Sequence, residues 1–290
     1  MTKHPNPLAS LRLAGALAAG ALLLTACTGA PSPSPSSTGS ATPATPSSTG
    51  KTLTVGMELA YPPFETKDNA GNPTGVSVDF IKDFGAANGY DVVIQDTAWD
   101  GLIPSLQTGK IDAVISSMTI TADRAKQVDF SDPYAVAQLA LLVNKNAGIA
   151  QASDLNQAGK SVAVKTGSTG DVYASKNLAN AQIIRLADES ACVTEVVQGK
   201  ADAFIYDQLT IYRNQQANPD TTSAVFIPFQ DPEHWGVAVK KGNSELLREL
   251  NAFIATSKTN GEFDKLTNKY LAKEKATFDS LGFKWFFDFS

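Results

Sequence analysis

The sequence predicts an α/β protein of two lobes, each a mostly parallel sheet flanked by helices, with two extended strands crossing between them. Three observations carry this. Strand and helix patterns alternate over 52–115, and such a βαβα rhythm makes a parallel sheet with helices on both faces. The rhythm breaks at an apolar strand, 139–143, and restarts in the same order over 161–216. An extended stretch at 235–239 then leads into further helices, as if the chain returned to its first lobe. The 290 residues, 43% hydrophobic and 18% charged, are enough for two modest globular units.

Residues 1–26 read as a secretion signal. Lys3 and Arg12 precede or edge an Ala/Leu-rich apolar run that ends in Leu24-Thr25-Ala26-Cys27. That ending resembles a bacterial lipobox, in which Cys27 would be lipidated and become the mature N-terminus. A plain signal peptide with an incidental cysteine is the alternative. The stretch 28–50 contains only Thr, Gly, Ala, Pro and Ser. It cannot bury apolar surface, so it reads as a disordered tether spanning roughly 25–30 Å as a coil. Removing 1–26 takes away two basic residues and no acid, so the 24 basic residues become 22 against 29 acidic, a net charge of −7. With no basic cluster either, nucleic acid is excluded as a partner, because its binding rests on clustered Lys and Arg. If Cys27 carries lipid, Cys192 stands alone, which leaves neither a disulfide framework nor a cysteine metal site. No metal or cofactor is expected. No stretch beyond the N-terminus reaches the ~18 apolar residues of a membrane span.

Residues 52–57 form the first strand. Pro62 and Pro63 bar a regular element after it, so Glu58, Tyr61 and Phe64 lie on a stiff loop. The helix 78–88 turns Val78, Ile81 and Phe84 inward and is stopped by Gly89. Strand 91–95 leads through Trp99-Asp100 into helix 101–108, and then strand 111–115. The second lobe repeats the pattern: strand 161–164, the segment Lys165 to Gly170 before helix 171–177, strand 183–186, helix 190–198, and strand 203–206 ending in Asp207. A helix to about 216 and a short strand, 225–227, follow; helices 244–256 and 262–271 close the pattern. Ligands of such sheets sit at the carboxyl ends of strands. Glu58, Tyr61, Trp99 and Ser116 to Thr119 all lie just past strand ends, so independent loops converge on one crevice.

The densest chemistry lies in Ser116-Ser117-Met118-Thr119-Ile120-Thr121-Ala122-Asp123-Arg124. Thr121 is placed to cap a helical turn and leave backbone N–H groups free. Arg124 offers two parallel donors that match both oxygens of a carboxylate. The plainer alternative is a surface salt bridge from Arg124 to Asp123 or Asp129.

Seven motifs, in order, resemble the polar amino-acid branch of bacterial extracellular solute-binding proteins, the capture components of ABC importers. They are Tyr61 to Glu65, Trp99 to Leu106, Ile111-Asp112-Ala113, Ser116 to Arg124, Asp129 to Asp132, Lys165 to Gly170, and Ala201-Asp202-Ala203 ahead of Asp207. The resemblance implies the two-lobed periplasmic-binding-protein fold, type II. The organisation expected is a first lobe over 51–142, a second over 143–234, a return to the first over 235–275, and an aromatic tail over 276–290. It also implies site roles. Arg124 would hold the ligand α-carboxylate with Thr119 and the backbone N–H at Thr169, with Ser168 also in the ligand site. The Ser117 carbonyl and Asp207 would take the α-ammonium, with Met118 on the same loop. Tyr61 and Trp99 would sandwich the ligand's stem. Asp207 could instead merely cap the helix after it, and Trp99 could be a buried anchor.

Physics supports the same pairing, since a buried zwitterion needs a cation at one end and an anion at the other. Specificity falls to Glu58 and Lys165. If both face the ligand side chain, glutamine suits them; if Lys165 pairs with Glu58, arginine or lysine suits better. The partners implied are an amino acid, an ABC permease, and the membrane through a lipid anchor. The chain is expected outside the cytoplasm and monomeric. An enzyme of the dehydratase type on the same fold is the rival reading, although no nucleophile–base pair is visible. A soluble ligand-binding partner of a sensor is a third. In the tail, Phe283, Trp285, Phe287 and Phe289 alternate at a strand-like period, expected as a packed C-terminal strand or hook, or else as an exposed patch for a partner.

Overall fold

The computed structural model describes residues 50–289, and two five-stranded sheets organise them. The signal segment, Cys27, the tether up to residue 49, and Ser290 lie outside the described residues. The first lobe opens with β1 (Lys51–Met57), a small hairpin of β2 (Thr66–Lys67) and β3 (Pro73–Thr74), and α1 (Val76–Asn88). Helix α1 buries Val76, Val78, Phe80, Ile81 and Phe84 on one face. It ends where Gly89 turns left-handed at φ 74° and returns its N–H to Gly85 O, a turn glycine makes without steric cost. Then come β4 (Tyr90–Asp96), α2 (Leu102–Thr108), β5 (Ala113–Val114), α3 (Ala122–Ala125) and β6 (Asp129–Phe130). Strand β1 pairs parallel with β4 over seven residues and with β5 on its other side. The strand expected over 111–115 is thus only two residues long, although Ile111 and Ile115 are buried beside it.

The crossing is β7 (Ala135–Ala137). The next strand, β8 (Leu139–Asn144), already belongs wholly to the second sheet, where all six of its residues are buried. The second lobe therefore begins at about 139 rather than 143. It continues with β9 (Ser161–Lys165), α4 (Thr169–Asn177), β10 (Gln182–Leu186), α5 (Glu189–Val197), β11 (Ala203–Asp207), α6 (Gln208–Ala217) and β12 (Thr222–Val225). Strands β10, β9 and β11 run parallel, while β8 lies antiparallel between β11 and β12. Both faces of this sheet are covered, with Leu141, Val162, Val164 and Ile205 on one side and Leu142, Ala163, Cys192 and Phe204 on the other. That burial explains the near-continuous apolar run of β8.

The chain returns through β13 (Glu233–Trp235), which pairs antiparallel with β7. Strand β14 (Ala238–Val239) then rejoins the first sheet between β5 and β6. Helices α7 (Ser244–Ser257), α8 (Glu262–Tyr270) and α9 (Ala272–Leu281) finish the lobe. The tail is not a strand. Helix α9 runs to Leu281, and the adjacent Trp285 and Phe286 are both buried, which strict alternation would forbid. Phe286 packs on Phe64 and Trp235 at ring distances of 5.0 and 5.4 Å, and its carbonyl accepts from Val136 N at 2.7 Å. The aromatic residues form a hook that buttresses the crossing strands. Among the described residues no helix is long and apolar enough to cross a membrane.

Candidate functional site

Carboxyl ends of strands from both lobes open onto one cavity, with Glu58 and Trp99 on one wall and Thr169, Glu189 and Asp207 on the other. Arg124 sits in α3, whose start Thr121 caps by accepting from Arg124 N at 3.2 Å. Its guanidinium donates to Thr119 O at 2.8 Å and, across the crevice, to Gly167 O at 3.1 Å, and it lies 5.1 Å from the Trp99 ring. The salt bridge weighed from sequence does not form: Asp123 pairs with Lys126 and Asp129 with Lys241. Burial holds the Arg124 pKa below its ordinary value, partly offset by Glu233. A half-buried guanidinium whose hydrogen bonds go to two carbonyls can take a carboxylate in their place.

Beside it, Ser168 caps α4 by accepting from Asp171 N at 3.2 Å, so the helix starts at Thr169 on the cavity wall. Gly170 lets that helix start reach β11, since a Cβ there would lie 2.5 Å from Ile205 O. At the far end of β11, Asp207 is buried and accepts from Tyr61 OH at 2.5 Å through Oδ2. Its Oδ1 caps α6 by accepting from Leu209 N and Thr210 N. Asp207 thus both caps its helix and faces the cavity. Burial raises its pKa against the pull of these donors, which makes an added cation beside it favourable.

The third cluster ties the lobes together. Lys165, at the end of β9, has a side chain only 1% exposed, and its Nζ bonds Glu58 of the first lobe and Glu189 of the second, the latter at 2.9 Å. Glu58 also accepts from Trp99 N at 3.3 Å, and Tyr206 OH donates to Glu189 at 2.7 Å. Burial alone would lower the Lys165 pKa, but Glu189 and Glu58 outweigh it and raise it. Burial likewise raises Glu58 against the attraction of Lys165. Lys165 therefore lies beneath the two acids, with its cation 5.5 Å from the Trp99 ring, rather than in the cavity wall.

Glu58, Tyr61, Trp99, Ser117, Thr119, Arg124, Ser168, Thr169 and Asp207 are all brought to the cavity. Met118 is not. Its side chain is buried among Leu102, Leu106 and Ile111 of the first lobe, and its carbonyl accepts from Gly236 N at 3.1 Å. The left-handed turn at Ser117, φ 48°, interrupts any strand-like alternation here. Four ionisable cavity residues carried no assigned role in the sequence: Glu65, Glu189, Tyr206 and Glu233. Glu189 and Tyr206 follow or end elements whose strand-end position was the available signal. Glu233 accepts from Thr119 Oγ1 at 2.9 Å and borders Arg124. Glu65 is fully buried, and burial pushes its carboxyl up to about 8.

Two α/β lobes with a crevice at their strand ends, carrying a guanidinium at one side and a carboxylate at the other, make the type II periplasmic-binding-protein fold. The profile of the bacterial extracellular solute-binding proteins, family 3, matches residues 53–273, and the chain belongs to that family. It is 34% identical over 265 residues to the "Probable histidine-binding protein" of Neisseria gonorrhoeae, covering 90% of this chain and 96% of that one. It is 32% identical over 225 residues to the L-cystine-binding protein of Escherichia coli K12, covering 77% and 84%. Among solved structures, an ancestral arginine-binding protein bound to arginine matches with a TM-score of 0.70 and 38% identity, over 77% of this chain and 98% of that one. Such relatives are amino-acid-binding proteins of ABC importers rather than enzymes.

Proposed function

We propose that this protein is the extracytoplasmic capture component of an ABC importer and binds an L-α-amino acid with a cationic side chain, arginine or lysine, by closure of its lobes. Arg124 takes the α-carboxylate with Thr119 and the start of α4. Asp207 and the Ser117 carbonyl take the α-ammonium, and Tyr61 and Trp99 flank the stem. The observation that carries the choice of ligand is the pairing of Lys165 with both Glu58 and Glu189. Two carboxylates share one ammonium there, leaving one negative charge at the side-chain end of a buried site. A ligand cation over the Trp99 face satisfies it. Glutamine, the neutral choice, leaves it uncompensated. The lobes are taken to hinge at β7 and β13, so contacts from both sides favour the closed form. Cys27 is proposed to carry the lipid that holds a monomeric protein at the outer face of the membrane, with the permease as its partner.

A thermal-shift screen against the twenty amino acids tests the reading. A ligand at about a thousand times its Kd adds about 4 kcal/mol to folding stability. Arginine or lysine is expected to give the largest rise in Tm. A larger rise with glutamine moves the ligand assignment to the neutral class, and no rise with any amino acid removes the reading.

A further inference from the structure

Ser117 is the one non-glycine residue at positive φ among the described residues, at 48°. A side chain in that conformation carries a steric penalty that a neighbour has to hold in place. Its hydroxyl donates to Glu65 Oε2 at 3.2 Å. Glu65 comes from the loop after β1, is fully buried, and borders the cavity. Its other oxygen, Oε1, is buried, and the buried hydroxyls of Ser77 and Tyr134 flank the carboxyl.

We propose that Glu65 is a positioning residue for ligand binding: it anchors the Ser117 hydroxyl and so fixes the left-handed turn that presents the Ser117 carbonyl to the ligand ammonium. The proposal rests on the cleft taking an α-amino group, as argued above. The titratable groups around Glu65 are Glu58, Glu189 and Tyr134, none of them a cation. Burial and these neighbours keep the carboxyl protonated at neutral pH, raised to about 8. A neutral acid has the shape and hydrogen-bonding capacity of an amide, so glutamine substitutes for it. Because the contact reads the amino-acid backbone, its loss weakens every amino-acid ligand by the same factor.

Four single variants, Ser117→Ala, Ser117→Gly, Glu65→Ala and Glu65→Gln, and the Ser117→Ala/Glu65→Ala double variant are assayed by calorimetric titration with arginine and with lysine. Ser117→Ala removes the anchor but keeps the Cβ, and affinity is expected to fall roughly tenfold. Ser117→Gly removes the same hydroxyl and also the steric penalty, so it binds more tightly than Ser117→Ala. Glu65→Ala matches Ser117→Ala, the double alanine variant is no weaker than either, and Glu65→Gln stays within about threefold of wild type. Equal affinities for Ser117→Ala and Ser117→Gly, or a Glu65→Gln as weak as Ser117→Ala, overturn the proposal. Both comparisons remain decisive if Glu65→Ala does not fold. A wild-type protein that binds no amino acid overturns the capture reading instead, a result none of the variant comparisons can mimic.

Discussion

Replacing Lys165 by Met tests the ionic cluster that joins the lobes. The ammonium is the one cation bonded to Glu58 and Glu189, whose side chains are 12% and 11% exposed. Methionine keeps most of the volume and removes the charge, so two acids face each other with no cation between them. Removing one partner of a buried pair costs about 3–5 kcal/mol. Trp99 N still bonds Glu58 and Tyr206 OH still bonds Glu189, and some water reaches both. The expected loss is therefore about 2–4 kcal/mol, or roughly 5–15 °C in Tm for a folded unit of this size. The assay is a melting curve at pH 7.5, repeated at pH 5 and with arginine added. Burial already raises Glu58, and without the Lys165 cation it takes up a proton more readily as the pH falls, so the gap to wild type narrows toward pH 5. Arginine, whose guanidinium replaces the lost ammonium, raises the variant's Tm more than it raises that of wild type. A Lys165→Met protein melting within about 2 °C of wild type at pH 7.5, with equal arginine shifts, refutes the reasoning.

Three further outcomes are expected. Phe286→Ala removes a buried ring that packs on Phe64 and Trp235, and should cost about 3–5 kcal/mol of stability by thermal melting. A change under 1 kcal/mol would show the tail is not part of the core. Glu65 has a folded pKa of about 8 against an ordinary 4.5, so its protonated form stabilises the fold below about pH 4.5, and that contribution is lost as pH rises through 8. Glu65→Gln cannot titrate; the Tm difference, wild type minus variant, should fall from pH 4.5 to 8 and then level, and a flat difference contradicts the burial argument. Tyr61→Phe removes the 2.5 Å bond to buried Asp207 and should weaken amino-acid binding or stability by about 1–3 kcal/mol, read by calorimetry and melting together.

Much of the fold is legible in sequence because period-3.6 and period-2 patterns are strong where elements are long. Helix α1 and strand β8 follow directly from their apolar spacing. The crossing strand β7 is Ala-Val-Ala, too short to show a period, so the lobe boundary falls several residues off. Helix α9 escapes for a different reason. Its single buried residue is Phe278, and the aromatic alternation just beyond it reads as a strand although those rings serve a packed hook. In the site, Tyr61, Trp99, Arg124 and Asp207 are visible because each sits just past a strand end or in a capped turn. Glu65 and Glu189 are not, because an acid in a loop or at a helix start is ordinarily solvated, and only tertiary packing makes these two buried. Met118 fails in the opposite sense: it shares a loop with cavity residues, but its side chain packs into the first lobe's core, which its loop position does not reveal.

Arg124 is proposed to hold the carboxylate of an amino acid in this cleft. Calorimetric titration of L-arginine into wild type and Arg124→Ala measures it directly. Saturable one-site binding to wild type is expected, with a loss of about 2–5 kcal/mol, roughly thirtyfold or more, in the variant. Near-wild-type affinity in Arg124→Ala would contradict it.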